Sequence, residues 1–254
     1  MKAKLGQNFL ADGAVLDFEA ESADVCTRST LEIGAGDGRL TRKLLSQGAK
    51  PLVAIELDPK LSKKLRISLH HRAKIITGDF LEFDESQKFD RIVGNIPYYI
   101  TSPILLKLSR MSFGKALLCI QDEVAERMMA PPGSHNYGRL SVFCQLSFSM
   151  EYLAHVPKEA FLPMPKVDSA IVSLSLLSPP THDEEKAIGA IFCHRKKSLR
   201  NAAIDSRSEL FSTKDKRIAA LLSQTLKYAD RKVFTLSPSE ALFSAREAIA
   251  ARKG

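Results

Sequence analysis

A glycine-rich turn near the N-terminus constrains the fold of this 254-residue chain more than any other feature. The turn reads Gly34-Ala35-Gly36-Asp37-Gly38 and lies between a predicted strand over residues 29–33 and a predicted helix over residues 38–47. Glycines allow the backbone to turn sharply and to come close to a ligand. Such a unit is typical of folds that bind a nucleotide at the end of the first strand, although a simple tight turn has the same composition.

Strand-like and helix-like segments alternate through the first two thirds of the chain. The further predicted strands are 51–56, 73–77, 89–94, 115–120 and 169–176, and the further predicted helices are 59–70, 102–111 and 140–148. Repeated strand–helix units predict a parallel sheet that is covered by helices on both faces. Alternation of apolar and polar residues over 169–176 predicts a late antiparallel strand pair at the sheet edge. The chain is therefore expected to be an α/β protein.

A proline-rich tetrapeptide divides the chain into two predicted domains. Residues 178–181 read Ser-Pro-Pro-Thr, and the pattern beyond them is helical. We therefore expect a first, ligand-binding domain over residues 1–177 and a small helical domain over residues 181–254.

The positive charge of the chain favours a polyanionic partner. The formal net charge is +8, and residues 186–217 carry nine Lys or Arg against three acids. Basic side chains that neutralise phosphates release counterions, which drives binding to nucleic acid. A solvated surface would carry the same charge, but we predict that this segment contacts RNA phosphates. The predicted contacts are Arg195, Lys196, Lys197 and Arg200.

Composition argues against a membrane protein and against a metal site. No apolar run approaches the roughly 18 residues that a bilayer requires. The first residues do not resemble a secretion signal, so a cytoplasmic location is expected. The four cysteines are far apart in the sequence, which predicts small buried thiols in a reducing compartment, with no metal bound.

Acidic residues after two later strands indicate the kind of ligand. Glu56 lies about 20 residues past the turn, where an acid accepts hydrogen bonds from ribose hydroxyls. Asp79 can accept from an adenine amine, and Phe80 can pack on the adenine ring. Because Asp37 in the turn would repel a phosphate, the sulfonium cofactor S-adenosylmethionine fits better than a dinucleotide. Taken singly, Glu56 also suits a surface position and Asp79 a turn cap.

The sequence Asn95-Ile96-Pro97-Tyr98 follows the fourth predicted strand, at the edge where parallel sheets bind ligands. The exocyclic nitrogen of adenine donates its lone pair into the ring and is a poor nucleophile. Two acceptors that bind its hydrogens restore this lone pair: the Asn95 side-chain oxygen and a backbone carbonyl near Ile96, which Pro97 orients. Tyr98 offers a face for base stacking. The motif predicts adenine methylation, whereas a strand-ending turn is the structural alternative.

These motifs together resemble the small-subunit ribosomal RNA adenine dimethyltransferase family almost from end to end. The matching stretches are 6–10, 31–38, 78–80, 95–103, 137–141, 161–169 and 196–201. The resemblance implies a Rossmann-like class I methyltransferase with a mostly parallel, seven-stranded sheet and S-adenosylmethionine as cofactor. It also implies dimethylation of two adjacent adenines in a hairpin loop near the 3′ end of small-subunit rRNA, during ribosome maturation.

The resemblance assigns roles that the residues alone do not. Phe161 would stack on the target adenine opposite Tyr98, although by itself Phe161 suits a core position. The cofactor would be held by Asn8, Leu10, Gly34, Gly36, Glu56, Asp79, Phe80 and Asn95. The partner would be rRNA within immature ribosomal particles, and the enzyme is expected to be a monomer. One departure is that the C-terminal part, residues 181–254, is short for the family.

Three other interpretations share parts of this pattern. A large-subunit rRNA adenine methylase would have the same catalytic motif, but residues 163–169 and 196–201 resemble the small-subunit group more closely. A non-catalytic RNA-binding assembly factor could keep the fold, although Glu56, Asp79 and the Asn95 motif are intact. DNA adenine methylases fit less well, because many of them carry an acid where Asn95 stands.

Overall fold

The computed structural model describes residues 8–252, so Gly6 and Gln7 of the first predicted motif lie outside the described residues. Within this range the chain forms two units. The first contains residues up to Ala125 together with Ser149–Leu176, and the second contains Glu126–Phe148 and the residues from Leu177 onward.

Every strand and helix predicted above occurs, with its ends shifted by at most three residues. The strands are β1 (Phe9–Leu10), β2 (Thr30–Ile33), β3 (Leu52–Glu56), β4 (Lys74–Thr77), β5 (Lys88–Asn95), β6 (Ser112–Gln121), β7 (Phe148–Val156), β8 (Phe161–Leu162) and β9 (Ser169–Leu176). The helices are α1 (Gly13–Ser22), α2 (Arg39–Ser46), α3 (Pro59–Leu69), α4 (Thr101–Leu108), α5 (Asp122–Met129), α6 (Arg139–Ser147), α7 (His182–Phe192), α8 (Leu199–Asp205), α9 (Arg207–Phe211), α10 (Lys216–Gln224) and α11 (Pro238–Ala250). Short 3-10 turns occupy Phe80–Glu82, Tyr98–Ile100, Lys158–Ala160 and Val233–Thr235.

Seven strands form one sheet in the order β4-β3-β2-β5-β6-β9-β7. Those from β4 to β6 are parallel to one another, and β9 is antiparallel to β6. All four residues of β2 are buried, as expected for a parallel strand that is covered on both faces. The carboxyl ends of β2, β3 and β5 meet at one edge of the sheet. This architecture confirms the predicted Rossmann-like α/β fold with a mostly parallel, seven-stranded sheet.

Helix starts in the first unit follow local capping rules. At α3 the Asp58 side chain accepts a hydrogen bond from the Lys60 backbone N–H at 2.7 Å, and Pro59 occupies the first turn. At α2 the residue before the helix is Gly38, whose φ of 82° is in the left-handed region that favours glycine. The glycine-rich turn therefore leads directly into the helix.

A two-stranded ladder that the sequence did not predict joins β1 to β8. The strands are antiparallel, with Leu10 opposite Phe161. The ladder places the N-terminal segment beside a residue about 150 positions later in the chain.

The second unit has a helical core of its own. Thr181 caps α7 reciprocally with Glu184, and Ser237 caps α11 in the same way with Glu240. The core includes Ala187, Ile191, Phe192, Leu199, Ala202, Leu210, Leu236 and Ala245, and with them Ala130, Tyr137 and Val142 from before the predicted boundary.

The observed division differs from the predicted one over Glu126–Phe148. These residues were assigned to the first domain, but they group with the second unit because their apolar side chains pack into its core. A second correction concerns two cysteines: Cys26 and Cys193 are exposed, whereas Cys119 and Cys144 are buried as expected. No helix among residues 8–252 is long and apolar enough to span a membrane.

Candidate active site

A cavity of about 290 Å³ opens at the carboxyl ends of β2, β3 and β5 in the first unit. It is lined by every residue that the sequence predicted for cofactor binding or catalysis: Asn8, Leu10, Gly34, Gly36, Glu56, Asp79, Phe80, Asn95, Ile96, Pro97, Tyr98 and Phe161. The parallel strands bring the glycine-rich turn, Glu56, Asp79 and Asn95 together because their ends converge at one edge of the sheet. The antiparallel β1–β8 ladder places Leu10 opposite Phe161.

Glu56 ties the glycine-rich turn to the end of β3. Its Oε2 accepts a hydrogen bond from the Gly36 backbone N–H at 2.7 Å, and its Oε1 accepts from the Asp58 N–H at 2.8 Å. Gly36 has a φ of 56°, and a Cβ at this position would lie 2.9 Å from the Phe9 ring. A carboxylate oxygen can accept more than one hydrogen bond, so this arrangement is compatible with the predicted contact to ribose hydroxyls.

Asp79 has a local structural role in addition to its place at the cavity. Its Oδ1 accepts a hydrogen bond from the Leu81 backbone N–H at 2.9 Å, as in a capped turn. Phe80, next to it, is buried and lines the cavity. The Lys107 ammonium lies 5.6 Å from the centre of the Phe80 ring, within the range of a cation–π contact.

The Asn95 motif is held by the neighbouring strand and by its proline. The Ile96 N–H donates to the Cys119 carbonyl oxygen at 2.9 Å, which extends the β5–β6 ladder past the end of β5. Pro97 has a φ of −58°, as its ring requires. The Tyr98 hydroxyl lies 2.8 Å from Ser169 Oγ, and desolvation raises the pKa of this phenol. The tyrosine ring is therefore anchored at its far end.

Glu32 is a site residue that the sequence reasoning did not single out. It lies in β2, is buried and lines the cavity, and its Oε2 has no hydrogen-bond partner among the described residues. A buried oxygen without a donor indicates a site for a ligand donor. The ammonium group of S-adenosylmethionine carries such donors, so the cavity fits this cofactor. The sequence signal was a charged residue between the apolar residues Leu31 and Ile33 of a predicted strand.

We expect the variant Glu32→Gln to make the free energy of unfolding less dependent on pH. Burial raises the pKa of Glu32 from 4.5 to about 8, and the charge of Glu56 adds to this effect. The folded protein therefore retains a proton that the unfolded chain releases. The stabilisation from Glu32 is complete below the unfolded pKa and is lost as the pH rises through the window from 4.5 to about 8.

Urea unfolding of the cofactor-free protein at about pH 6 and about pH 9 measures this difference. The loss of stability between the two pH values should be smaller in E32Q than in the wild type. The exposed variant Glu123→Gln is the control and should behave as the wild type. An unchanged pH dependence in E32Q would contradict the burial argument.

The four predicted RNA contacts lie in the second unit and are not equivalent. Arg195 donates to the His135 and Tyr137 carbonyl oxygens at 2.9 and 2.6 Å. Lys196 is exposed. Lys197 forms an ion pair with Asp205, and Arg200 forms one with Asp230, each with an N···O distance of 2.6 Å.

The fold and the cavity together define a class of protein. A parallel sheet with a glycine-rich turn after its first long strand, and acids after the next two, is the architecture of a class I methyltransferase that uses S-adenosylmethionine. Comparison with known proteins gives the family. The family model described as "Ribosomal RNA adenine dimethylase" matches residues 1–231. The chain belongs to the ribosomal RNA adenine dimethylase family.

Curated relatives and solved structures agree with this assignment. A protein of Methanopyrus kandleri named "Probable ribosomal RNA small subunit methyltransferase A" is 38% identical over 82% of this chain and 78% of its own length. A protein of the same name from Methanosphaera stadtmanae is 37% identical over 92% of this chain and 88% of its own length.

Two crystal structures cover nearly the whole chain. A dimethyladenosine transferase from Plasmodium falciparum has a TM-score of 0.79 and 26% identity, covering 93% of this chain and 95% of its own. The 23S rRNA methyltransferase ErmE has a TM-score of 0.65 and 27% identity, covering 94% of this chain and 99% of its own.

Proposed function

We propose that this protein transfers methyl groups from S-adenosylmethionine to two adjacent adenines in a hairpin loop near the 3′ end of small-subunit rRNA, within immature ribosomal particles. Relatives that share 36–38% identity are named as small-subunit methyltransferases, which supports this target. One observation carries the proposal: Asn95 lines the same cavity as Glu56 and Asp79. An acceptor for a purine amine thus lies beside acceptors for a nucleoside cofactor.

Residues of this chain would hold the cofactor through its polar groups. Glu56 accepts from the ribose hydroxyls, Asp79 accepts from the adenine amine, and the unpartnered oxygen of Glu32 accepts from the ammonium group. Asn8 and Leu10 also line the cavity and would fold over the cofactor. When bound, S-adenosylmethionine supplies an electrophilic methyl group on a positive sulfonium centre.

The target adenine is bound by the motif at the end of β5. Tyr98 and Phe161 would stack on the base, and each good base stack contributes roughly 1–3 kcal/mol. The Asn95 side-chain oxygen and a backbone carbonyl at Ile96 accept the two hydrogens of the amine, which draws the lone pair out of the ring. No strong base is needed, because the nitrogen loses a proton readily once it carries the new methyl group. Catalysis is then mostly positioning and electrostatic fit.

Methyl-labelled cofactor tests the proposal directly. Wild-type protein should label the two adenines in immature small-subunit particles, and mass spectrometry of the rRNA should locate two methyl groups on each. Absence of label under conditions in which calorimetry shows cofactor binding would refute the activity. In that case a non-catalytic assembly factor would be the better account.

A large-subunit target is the second candidate, because the ErmE structure covers nearly the whole chain. The same assay with large-subunit particles distinguishes the two targets. Label in the large subunit alone would replace the small-subunit proposal. The higher identity of the small-subunit relatives favours the first target.

We also propose that the helical second unit contacts rRNA, with Lys196 as the main cation among the four predicted. We expect Lys196→Ala to weaken rRNA binding. The slope of the logarithm of rRNA affinity against the logarithm of salt concentration should become shallower by about one. Arg195→Ala should instead lower the stability of the protein, because Arg195 satisfies two carbonyl oxygens. Filter binding across a salt series, together with urea unfolding, separates these effects. Unchanged rRNA affinity in K196A would contradict the proposed contact.

The cellular compartment and the oligomeric state remain those that the sequence predicted. We propose that the protein works in the cytoplasm as a monomer, with immature small-subunit particles as its partner. Four free thiols are consistent with a reducing compartment. Sedimentation of the purified chain measures its oligomeric state.

A further inference from the structure

Glu19 is a fully buried acid on the inner face of α1, where its neighbours on the helix are apolar. Leu16 and Ala20 on the helix and Ala23 at its C-cap are buried, and Glu19 itself is 0% exposed. Burying a carboxyl group costs free energy that an aliphatic side chain of similar size does not cost. Glu19 does not line the cavity, and neither the sequence motifs nor the proposed chemistry uses it. Its presence therefore needs another explanation.

The contact between Glu19 and Asn95 provides that explanation. When the Asn95 amide nitrogen faces Glu19, it lies 3.0 Å from Oε1 and 3.2 Å from Oε2. The opposite orientation would place the amide oxygen against two carboxylate oxygens, and acceptors that face each other repel. An ionised Glu19 therefore selects one orientation of the Asn95 amide.

That orientation is the one that methyl transfer requires. An amide whose nitrogen donates to Glu19 turns its oxygen away from the carboxylate, and Asn95 is one of the residues that line the cavity. Only the oxygen can accept a hydrogen from the target amine, since the nitrogen is a donor. A free asparagine side chain could present either atom, because its two ends have nearly the same shape.

We propose that Glu19 is a positioning residue for methyl transfer, which holds the Asn95 amide nitrogen so that the side-chain oxygen faces the target adenine amine. The inference rests on the proposed function, because it assigns Asn95 its role there. Glu19 touches neither substrate nor cofactor and acts through Asn95 alone.

The charge of Glu19 decides whether this positioning operates. Three groups face it from the sheet: Glu32 on β2, Asn95 on β5 and the Cys119 thiol on β6. Burial and the charge of Glu32 raise the pKa of Glu19 to about 8, and the bond from Asn95 opposes this shift. A protonated Glu19 can donate to the Asn95 oxygen, which takes that oxygen away from the substrate.

The rate should therefore rise with pH. The ionised form of Glu19 is the active one, and the positive charge of the bound cofactor favours ionisation. We expect the single-turnover rate to increase with pH through a limb centred at or below pH 8 and then to level off.

The test compares Glu19→Gln and Glu19→Leu with a matched control on the same helix, the exposed Glu21→Gln. Single-turnover rates with immature small-subunit particles are measured from about pH 6.5 to about pH 9. Cofactor affinity comes from calorimetry and stability from urea unfolding. E19L should lower the single-turnover rate by about 10- to 100-fold, which is the loss expected when a hydrogen bond to a charged group is removed.

E19Q should lose the pH limb, since glutamine does not ionise and can bond either end of the Asn95 amide. Both variants should bind S-adenosylmethionine as the wild type does, and E19L should be at least as stable as the wild type. A purely structural role for Glu19 predicts the reverse for E19L: lower stability with an unchanged pH limb. E21Q should match the wild type in every measurement.

The outcomes separate this inference from the function on which it rests. A wild type that binds cofactor but never methylates rRNA refutes the proposed function, and the positioning role with it. An active wild type whose rate and pH limb persist in E19Q and E19L refutes the positioning role alone. Loss of cofactor binding in both folded variants also refutes it, because Glu19 would then support the cofactor site.

Discussion

Replacing Asn95 by alanine is expected to lower the rate of methyl transfer by about 10²- to 10³-fold, the loss typical of removing one preorganised polar group at a reacting centre. The alanine cannot accept a hydrogen from the target amine, so the nitrogen lone pair stays in the purine ring. Cofactor affinity should fall only about fivefold, which is the loss expected from one hydrogen bond, because Glu32, Glu56 and Asp79 remain in the cavity.

The measurement pairs single-turnover methyl transfer with cofactor calorimetry. Asn136 is exposed and does not line the cavity, so the variant Asn136→Ala serves as the control. If N95A bound the cofactor normally and still methylated rRNA within about threefold of the wild-type rate, the amide would not be the acceptor that the mechanism needs.

Gly38→Ala is expected to lower the free energy of unfolding by about 2–4 kcal/mol, the sum of a left-handed backbone penalty and overpacking. Gly38 has a φ of 82°, and a Cβ built there would lie 2.3 Å from Leu65 Cδ2 and 3.1 Å from Arg42 Nη1. Leu65 is buried in the core, so it has little room to move. The strain falls at the junction of the glycine-rich turn and α2, beside the cavity.

Urea unfolding with the cofactor absent measures this loss. Gly13→Ala is the matched control, because a Cβ at the first position of α1 meets nothing within 4 Å. It should change stability by less than about 1 kcal/mol. Equal stabilities of G38A and the wild type would mean that the turn does not need glycine at this position.

The local pattern of the chain was sufficient to predict the sheet and most of the site. Apolar runs at regular spacing identify parallel strands, and parallel strands must end at a common edge. Glu56, Asp79 and Asn95 each follow such a run, so their convergence could be inferred before any coordinates. The cofactor followed from the chemistry of those side chains and from the acid in the glycine-rich turn.

Features that depend on contacts between distant segments were not predictable in this way. Glu32 reads as one acid within a strand, and its unpartnered oxygen exists only because the folded sheet buries it. Residues 126–148 read as part of the first domain until their apolar side chains are seen to pack into the second core. Arg195 reads only as a phosphate contact in the sequence, and the fold adds that its Nη1 donates to two carbonyl oxygens of its own chain.

The sequence by itself determined the α/β fold, the glycine-rich turn and the order of the motifs, because periodicity and turn chemistry act between near neighbours. Only the tertiary structure decided which acids are buried, which cations remain exposed and which way Asn95 is held. Those properties arise from desolvation and from hydrogen bonds between residues far apart in the chain, as between Glu19 and Asn95. Neither the desolvation of a side chain nor a hydrogen bond between distant residues can be read from a single stretch of the sequence.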